Sequence, residues 1–355
     1  IPPPNSRPPV AYAPTPMKNA TTARAALYEI AMDLRWAWIE AMRRQFAMLR
    51  PHVWVSSNEN PLAVLDATTD EYLDTRLQEP AFHKVLERAF AAKEQDDTRQ
   101  RWFDRAKHQG ERSMQIAYVC SEFAIHECMQ QYSGGLGVLA GDHLKSCADL
   151  GIPMTGFGLL YRQGYYQQEL RRDGSTRVVE PLWRYEDFPM SDTGQTIACP
   201  IGRSIVDARI MHIAVGSIDL YLLDTDLKSN RMRDRDLTRG LYRGNPDLRL
   251  RQQVLLGVGV VHAADAMGLM PTVWHLNEGH AAFCGVERIA RLVEGGVERG
   301  AAEHHVAAET VFTTHTPVPA GHDRYDIDRC AEVLRPTLNR AKMGKRDLAR
   351  LGQDG

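Results

Sequence analysis

The sequence predicts an α/β fold whose sheet is parallel and carries helices on both faces, preceded by a helical N-terminal region. Two observations carry this prediction. Between residues 17 and 110, apolar residues recur at steps of three and four, which is the spacing of an amphipathic helix. From residue 111 onward, short apolar runs alternate with longer helical patterns, which is typical of strands and helices that build a parallel sheet.

The N-terminal region divides into a lead and a set of helices. Residues 1–16 contain seven prolines, and we expect this lead to be disordered. A helical pattern runs from residue 21 to 49, and further helices are predicted over residues 62–65, 72–77 and 82–103. The tryptophans of this region favour a packed core over a cofactor site. The predicted domains are therefore a helical domain of residues 17–110 and an α/β domain of residues 111–355.

The α/β domain is predicted to contain six strands and three long helices. The segment 161–168 is predicted to be a polar and aromatic hairpin or loop, and the Arg- and Asp-rich segment 228–251 a solvated region with local ion pairs. The predicted strands are 116–120, 154–160, 206–215, 218–223, 273–275 and 308–313, and the predicted helices are 138–150, 248–267 and 278–294.

Composition excludes several classes of function. The net charge of −2 gives no basic field for nucleic acid or for a membrane surface. The six cysteines form no C-x-x-C pair and stand among apolar neighbours, which favours buried free thiols over disulfides or zinc. The sequence contains neither a run of 18 apolar residues nor a signal-peptide pattern, so we expect a cytoplasmic protein.

A glycine-rich turn follows the first predicted strand. Gly134, Gly135 and Gly137, with Leu136 between them, stand directly before the helix predicted over residues 138–150. Unpaired N–H groups and the helix dipole favour an anion at such a helix N-terminus, and glycines let a ligand approach the main chain closely. The residues alone leave two interpretations open, a structural turn and an anion cradle.

Polar residues also follow two later strands. Asn277 and Glu278 stand where a strand turns into a helix, and a capping role alone would explain both. His280 follows them, and His315 comes directly after the last predicted strand. Because ligands bind at the carboxyl ends of strands in open α/β sheets, we expect a shared cleft here. The histidine spacings match no known zinc motif, and the sequence has no G-x-S-x-G elbow, so neither a metal site nor a serine hydrolase is favoured.

Several longer motifs resemble a known family. They are DLRWAW at 33–38, SEF at 121–123, SGGLGVLAGD at 133–142, YRQGY at 161–165, TVWHLNEGHAAF at 272–283 and FTTHTPVPAGHD at 312–323. In this order they resemble the α-glucan (glycogen, starch and maltodextrin) phosphorylases, with the shorter bacterial branch most similar. The resemblance covers roughly residues 24–355, and it is to the N-terminal half of that family.

The resemblance implies a fold, an activity and a cofactor. The fold would be the N-terminal Rossmann-like half of a GT-B architecture, and the reaction the phosphorolysis of terminal α-1,4-glucosidic bonds to glucose 1-phosphate. Pyridoxal phosphate would be the cofactor, and an α-glucan and inorganic phosphate the substrates. The main chain of the turn at Gly134, Gly135 and Leu136 would meet the glucosyl unit and the phosphate. His315 would hydrogen-bond the sugar, and the strand-end residues Asn277, Glu278 and His280 would line or brace the cleft.

Departures from the family pattern set limits on that expectation. The resemblance places the cofactor lysine in the second domain, and none of the eight lysines here has that context. Ala124 stands where longer phosphorylases have a tyrosine near the cofactor. We therefore expect that this chain alone neither binds pyridoxal phosphate covalently nor catalyses phosphorolysis. The cleft face should be exposed, which predicts a homo-oligomer, aggregation or docking of a missing C-terminal domain.

Two alternatives remain at this stage. A glycogen synthase-like GT-B glycosyltransferase also uses a G-G-L-G turn, but it has a lysine two residues before the glycines, where this sequence has Tyr132. The second alternative is an α-glucan-binding or regulatory module without catalysis.

Overall fold

A computed structural model describes residues 19–105, 113–164, 166–180, 182–242, 244–317 and 323–352. The lead of residues 1–16 and the domain boundary predicted near residue 110 lie outside the described residues, so both stay predictions.

The N-terminal region folds into short helices whose limits follow from caps and prolines. Asn19 caps the first helix and Thr69 the fifth, and a proline occupies the first position of the third, fourth and sixth. The predicted helix over residues 21–49 is interrupted by a 3₁₀ turn at Leu34–Ala37, where the Asp33 side chain accepts from the N–H of Arg35. The helices are α1 Ala20–Met32, α2 Glu40–Leu49, α3 Pro51–Ser56, α4 Pro61–Asp66, α5 Asp70–Leu77 and α6 Pro80–Thr98.

The α/β part is built on a seven-stranded sheet and a separate two-stranded hairpin. The strands are β1 Ile116–Val119, β2 Met154–Leu159, β3 Gln167–Leu170, β4 Thr176–Val179, β5 Ser191–Ile201, β6 Ser204–Val215, β7 Ile218–Asp224, β8 Val273–Asn277 and β9 Thr310–Thr313. The sheet order is β5-β6-β7-β2-β1-β8-β9, and β3 pairs with β4 alone. The five strands β7, β2, β1, β8 and β9 pair in parallel, as predicted. The strand predicted over residues 206–215, β6, corrects the prediction of an all-parallel sheet, because it pairs antiparallel with both β5 and β7. The polar sequence of β5 gave no strand signal.

Helices cover both faces of this sheet. The helix α7, Gly135–Leu150, shares one apolar core with the N-terminal helices and with Tyr118 of β1. A second core, which contains Trp274 and Leu276 of β8, lies on the opposite face, and all of the remaining helices except the shortest contribute to it. The remaining helices are α8 Met232–Arg235, α9 Pro246–Val254, α10 Val260–Ala266, α11 Phe283–Glu294, α12 Arg299–Ala308, α13 Ile327–Val333, α14 Arg335–Arg340 and α15 Lys345–Leu351.

Three predicted elements need correction. The helix predicted over residues 248–267 is divided by one π turn at Leu255–Gly259. The helix predicted to start at residue 278 begins at Phe283 instead. The segment 228–251 is not wholly solvated, because Asp234 and Arg251 are buried and form an ion pair of 2.5 Å. The arginine-rich composition does not indicate which of its charged residues are buried.

Two findings bear on the class of protein. All six cysteines are buried and free, as predicted. Within the described ranges, none of the helices combines the length and the apolar character that a membrane crossing demands.

Candidate active site

The carboxyl ends of β1, β8 and β9 lie next to one another at one edge of the sheet. The register pairs Val119 of β1 with Leu276 of β8, and Asn277 of β8 with Thr313 of β9. Each strand therefore delivers its following loop to the same edge, where the polar residues predicted from the sequence stand. This edge is the candidate active site.

The glycine-rich turn contributes an open helix N-terminus to this edge. The helix α7 starts at Gly135, and Gly134 before it is extended with φ −165°. Among the described residues no side chain caps this helix. A Cβ atom built on Gly134 or on Gly135 meets no atom within 4 Å, so no described neighbour requires glycine at either position. Their main chain faces open space that a ligand can approach.

Gly137 is required for a different reason. A Cβ atom there would lie 2.4 Å from Tyr132 Cβ and 2.8 Å from Glu122 Oε2, closer than real contacts allow. The first turn of α7 is therefore packed directly against the carboxylate of Glu122. That carboxylate also accepts hydrogen bonds from the N–H of Ser133 at 2.6 Å and of Gly134 at 3.4 Å.

Glu278 does not serve as a helix cap, and this corrects the capping interpretation. It has a φ of +65°, which is strained for a residue with a side chain, and α11 starts only at Phe283. Its carboxylate accepts from the N–H of His315 at 2.6 Å and of Thr316 at 3.1 Å. The hydroxyls of Thr314 and Thr316 add two further hydrogen bonds of 3.2 Å each.

Those hydrogen bonds set the charge state of Glu278. Burial raises the pKa of its carboxyl, but the hydrogen bonds from His315, Thr316 and Thr314 outweigh burial and hold the pKa below its ordinary value. The carboxylate is thus ionised and holds residues 314–316, which follow β9. His315 is exposed, and its position at the edge is set through its main chain.

Asn277 is likewise not a cap. It is fully buried, and its Nδ2 donates to the Tyr118 hydroxyl at 2.6 Å and to Cys120 Sγ at 3.4 Å. Its Oδ1 is buried and has no hydrogen-bond partner among the described residues. Asn277 therefore links the end of β8 to β1 and to Cys120 by side-chain hydrogen bonds next to the candidate site.

His280 lines a small cavity beside these strand ends. Its Nδ1 is buried without a hydrogen-bond partner among the described residues. Burial lowers the pKa of the imidazole, a change that nearby Arg249 reinforces and Asp323 opposes. The ring is therefore neutral at pH 7. The cavity is lined by Ser121, Leu159, Tyr161, Leu241, Tyr242, Arg249, Gln252, Gln253, Leu256, His280 and Asp323.

Sequence reasoning missed the roles of Glu122 and Tyr242. Glu122 is buried, and its Oε1 accepts from the Tyr242 hydroxyl at 2.6 Å. The Tyr242 ring lies 6.0 Å from the ring of His280 and borders a second cavity that Ser133 and Gln163 also line. The position of Glu122, three residues after the end of β1, was the available signal. No sequence signal points to Tyr242.

The described residues around the candidate site offer neither a cluster of metal ligands nor a lysine at the two cavities. Among the residues that the structure describes, no group of three or more His, Cys, Asp or Glu side chains is placed to hold a metal ion. Neither cavity is lined by a lysine. Described lysines instead form ion pairs elsewhere, such as Lys93 with Asp97 at 2.7 Å and Lys145 with Asp142 at 3.6 Å.

Comparison with known proteins defines the class. A family described as a protein of unknown function, DUF3417, matches residues 22–129. The chain is 35% identical over 336 residues to a maltodextrin phosphorylase of Thermococcus litoralis, which covers 93% of this chain and 40% of that protein. It is 36% identical over 329 residues to a glycogen phosphorylase of Mycobacterium tuberculosis, or 86% of this chain and 37% of that protein.

A third relative, a glycogen phosphorylase of Aquifex aeolicus, is 30% identical over 317 residues, which is 87% of this chain and 44% of that protein. The resemblance found in the sequence is confirmed: this chain belongs by homology to the glycogen and maltodextrin phosphorylase family. The chain spans about two fifths of the length of these relatives.

Proposed function

We propose that this chain forms one wall of the active site of an α-1,4-glucan phosphorylase. Its sheet would be the N-terminal Rossmann-like half of a GT-B fold. The reaction is the phosphorolysis of a terminal α-1,4-glucosidic bond, with an α-glucan or maltodextrin and inorganic phosphate as substrates and glucose 1-phosphate as product. The names of the three relatives support the substrate class.

One observation carries the proposal at the level of the site. The helix α7 begins uncapped beside two glycines that no described neighbour requires, at the edge where Glu278 fixes the loop of His315. The N–H groups of Gly135 and Leu136 are suited to a phosphate or a developing negative charge, because they are held by the helix and need no reorganisation. His315 would hydrogen-bond the sugar, with Asn277, Glu278 and His280 bracing the cleft.

Pyridoxal phosphate, the cofactor that the resemblance implies, does not fit the described part of this chain as a covalent ligand. Covalent attachment needs a lysine amine, and no lysine lines either cavity next to the strand ends. We therefore propose that this chain does not bind the cofactor covalently, and we assign no step of the reaction to it here.

Isothermal titration calorimetry tests the proposal directly. We expect the purified chain to bind maltoheptaose at millimolar concentration and inorganic phosphate weakly, and to release no glucose 1-phosphate from maltodextrin. Typical KM values reach about 1 mM. If about 10 mM maltoheptaose, tenfold above that value, produced no heat, the proposal of a glucan-binding site would be overturned. Release of glucose 1-phosphate by the chain alone would overturn the proposal that this chain forms only one wall of the active site.

A matched variant separates the site from unspecific binding. Gly135→Ala places a methyl group on the open side of the turn, where no atom of the described chain lies within 4 Å. The fold should tolerate it, whereas a ligand seated against the main chain should not. Gly285→Ala in α11 is the control, because a Cβ atom there would make only an ordinary contact of 3.9 Å with Val306 Cγ1, and Gly285 lines neither cavity. Only the Gly135 variant should lose affinity.

A further inference from the structure

The carboxylate of Glu122 joins the loop after β1 to the glycine-rich turn and to Tyr242, which lies 120 residues later in the sequence. It follows β1, and only 3% of the residue is exposed. Oε2 accepts the N–H of Ser133 and of Gly134, at 2.6 and 3.4 Å. Oε1 accepts the hydroxyl of Tyr242 at 2.6 Å, across 120 residues of sequence. A buried carboxylate is tolerated only where hydrogen bonds replace its lost hydration, and the three that Glu122 receives from described residues come from the loops around the candidate site.

Two of these hydrogen bonds lie directly before the first turn of α7. Glu122 takes the N–H groups of Ser133 and Gly134, which lie just before α7, and the N–H groups that follow them, of Gly135 and Leu136, belong to the uncapped first turn. Gly137 in the same turn has no room for a side chain, because Glu122 and Tyr132 lie against it. The turn is therefore held from one side by Glu122 and left open on the other.

Tyr242 connects this arrangement to the rest of the site. Its ring borders both cavities and lies 6.0 Å from the ring of His280. Tyr242 has a φ of +52°, a conformation that a non-glycine residue keeps only where its surroundings enforce it. The hydrogen bond from its hydroxyl to Glu122 links Tyr242 to the residue that contacts the glycine turn.

We infer that Glu122 is a positioning residue for the phosphate and glucosyl ligands of the glycine turn, and that the Tyr242 hydroxyl holds Glu122 in place. This inference deepens the proposed function and rests on it. Glu122 acts through the main chain of the turn, by directing the N–H groups of Gly135 and Leu136 to the open side. A displacement of Tyr242 would therefore change the position of Glu122, and with it the turn, through the one hydrogen bond between them.

Amide hydrogen exchange, followed by mass spectrometry, tests the inference on the chain as it exists. Tyr242→Phe removes one hydroxyl and should raise exchange at residues 133–134 about fivefold, the effect of losing one hydrogen bond, although position 242 is more than 100 residues away. Glu122→Asp keeps the charge but is one methylene too short to reach both partners. It should raise exchange there at least as much as Tyr242→Phe. The controls are Tyr28→Phe and Glu94→Asp, both at exposed positions on helices.

Two further readouts separate positioning from general stability. The melting temperature of Tyr242→Phe should stay within about 2 °C of the wild type, since the hydroxyl is a single hydrogen bond in a large chain. The affinity for inorganic phosphate, measured by calorimetry, should nevertheless fall about fivefold. The double variant Glu122→Asp/Tyr242→Phe should show no more exchange than Glu122→Asp alone, because both changes break the same connection.

The outcomes distinguish this inference from the proposed function. Unchanged exchange at residues 133–134 in both Tyr242→Phe and Glu122→Asp would overturn the positioning role. Raised exchange with unchanged phosphate affinity would overturn it too, since the turn would then not be positioned for that ligand. If the wild type binds neither phosphate nor maltoheptaose, the proposed function fails, and the ligand part of the inference fails with it.

Discussion

The main-chain N–H of His315 donates a 2.6 Å hydrogen bond to the carboxylate of Glu278, a residue that is only 1% exposed. Glu278→Ala removes the acceptor for this N–H and for that of Thr316. We expect the variant to lower the free energy of unfolding by about 1–3 kcal/mol, the cost of leaving such groups unpaired. Urea denaturation, followed by circular dichroism, measures this.

The control for that change is Glu94→Ala, at an exposed position of α6. It should alter the free energy of unfolding by less than about 0.5 kcal/mol, as exposed substitutions usually do. Exchange at residues 314–316 should rise in Glu278→Ala and stay unchanged in the control. Equal stability of the two variants would contradict the role that we assign to Glu278.

The glycines of the turn should respond to substitution in opposite ways. Gly137→Ala forces a Cβ to within 2.4 Å of Tyr132 Cβ and 2.8 Å of Glu122 Oε2, so the variant should lose about 1–3 kcal/mol of stability through overpacking. Gly135→Ala meets nothing and adds a good helix former, so it should keep or gain up to about 1 kcal/mol. Thermal unfolding of both proteins checks the difference, and equal losses would contradict it.

The strand ends could be predicted from the sequence, but the geometry of their loops could not. Apolar runs that stop at polar clusters place Glu278 and His315 at the carboxyl ends of β8 and β9. The capping interpretation of Glu278 failed because its local sequence resembles a helix start, whereas a hydrogen bond to a residue 37 positions later decides its conformation. The pairing of Glu122 with Tyr242 spans 120 positions, and no local pattern reports such a contact.

The same limit applies to the fold as a whole. Parallel strands β7, β2, β1, β8 and β9 were found because they are short and apolar. Strand β5 was not predicted, because its sequence is polar and contains Gly194 and Pro200, two residues that disfavour a strand. Its pairing with β6, through a ladder that includes a register shift, provides the hydrogen bonds that stabilise it.

A buried carboxylate outside the site should control stability in acid. Glu287 is fully buried and accepts from His262 at 3.0 Å and from Arg340 at 2.9 and 3.0 Å. Burial raises the pKa of its carboxyl, but these hydrogen bonds and charges outweigh burial and lower the pKa from 4.5 to about 2. A carboxyl with a lowered pKa in the folded state stabilises the protein above its unfolded pKa.

That stabilisation is lost as the pH falls from about 5 towards about 2, and the shift corresponds to about 3 kcal/mol at most. Urea denaturation between pH 6 and pH 3 should therefore show a steep loss of stability in the wild type. Glu287→Gln should be less stable at pH 6 and have a flatter profile over this range, because its amide does not titrate. Parallel profiles would show that Glu287 does not control the acid response.

The strand β9 lies at the edge of the sheet and has a strand partner on one side only within the described part of the chain. Val311 and Phe312 point to opposite faces there and are 48% and 55% exposed. An apolar edge with free main-chain groups promotes association, so we expect the chain to self-associate as its concentration rises.

Phe312→Lys should lower the mass measured by light scattering at high concentration, because a lysine on an edge strand opposes strand pairing. The control is Leu170→Lys on the hairpin, where Leu170 is 80% exposed, and it should have a smaller effect. A wild-type chain that stays monomeric at all concentrations, or equal effects of the two variants, would show that β9 does not drive association.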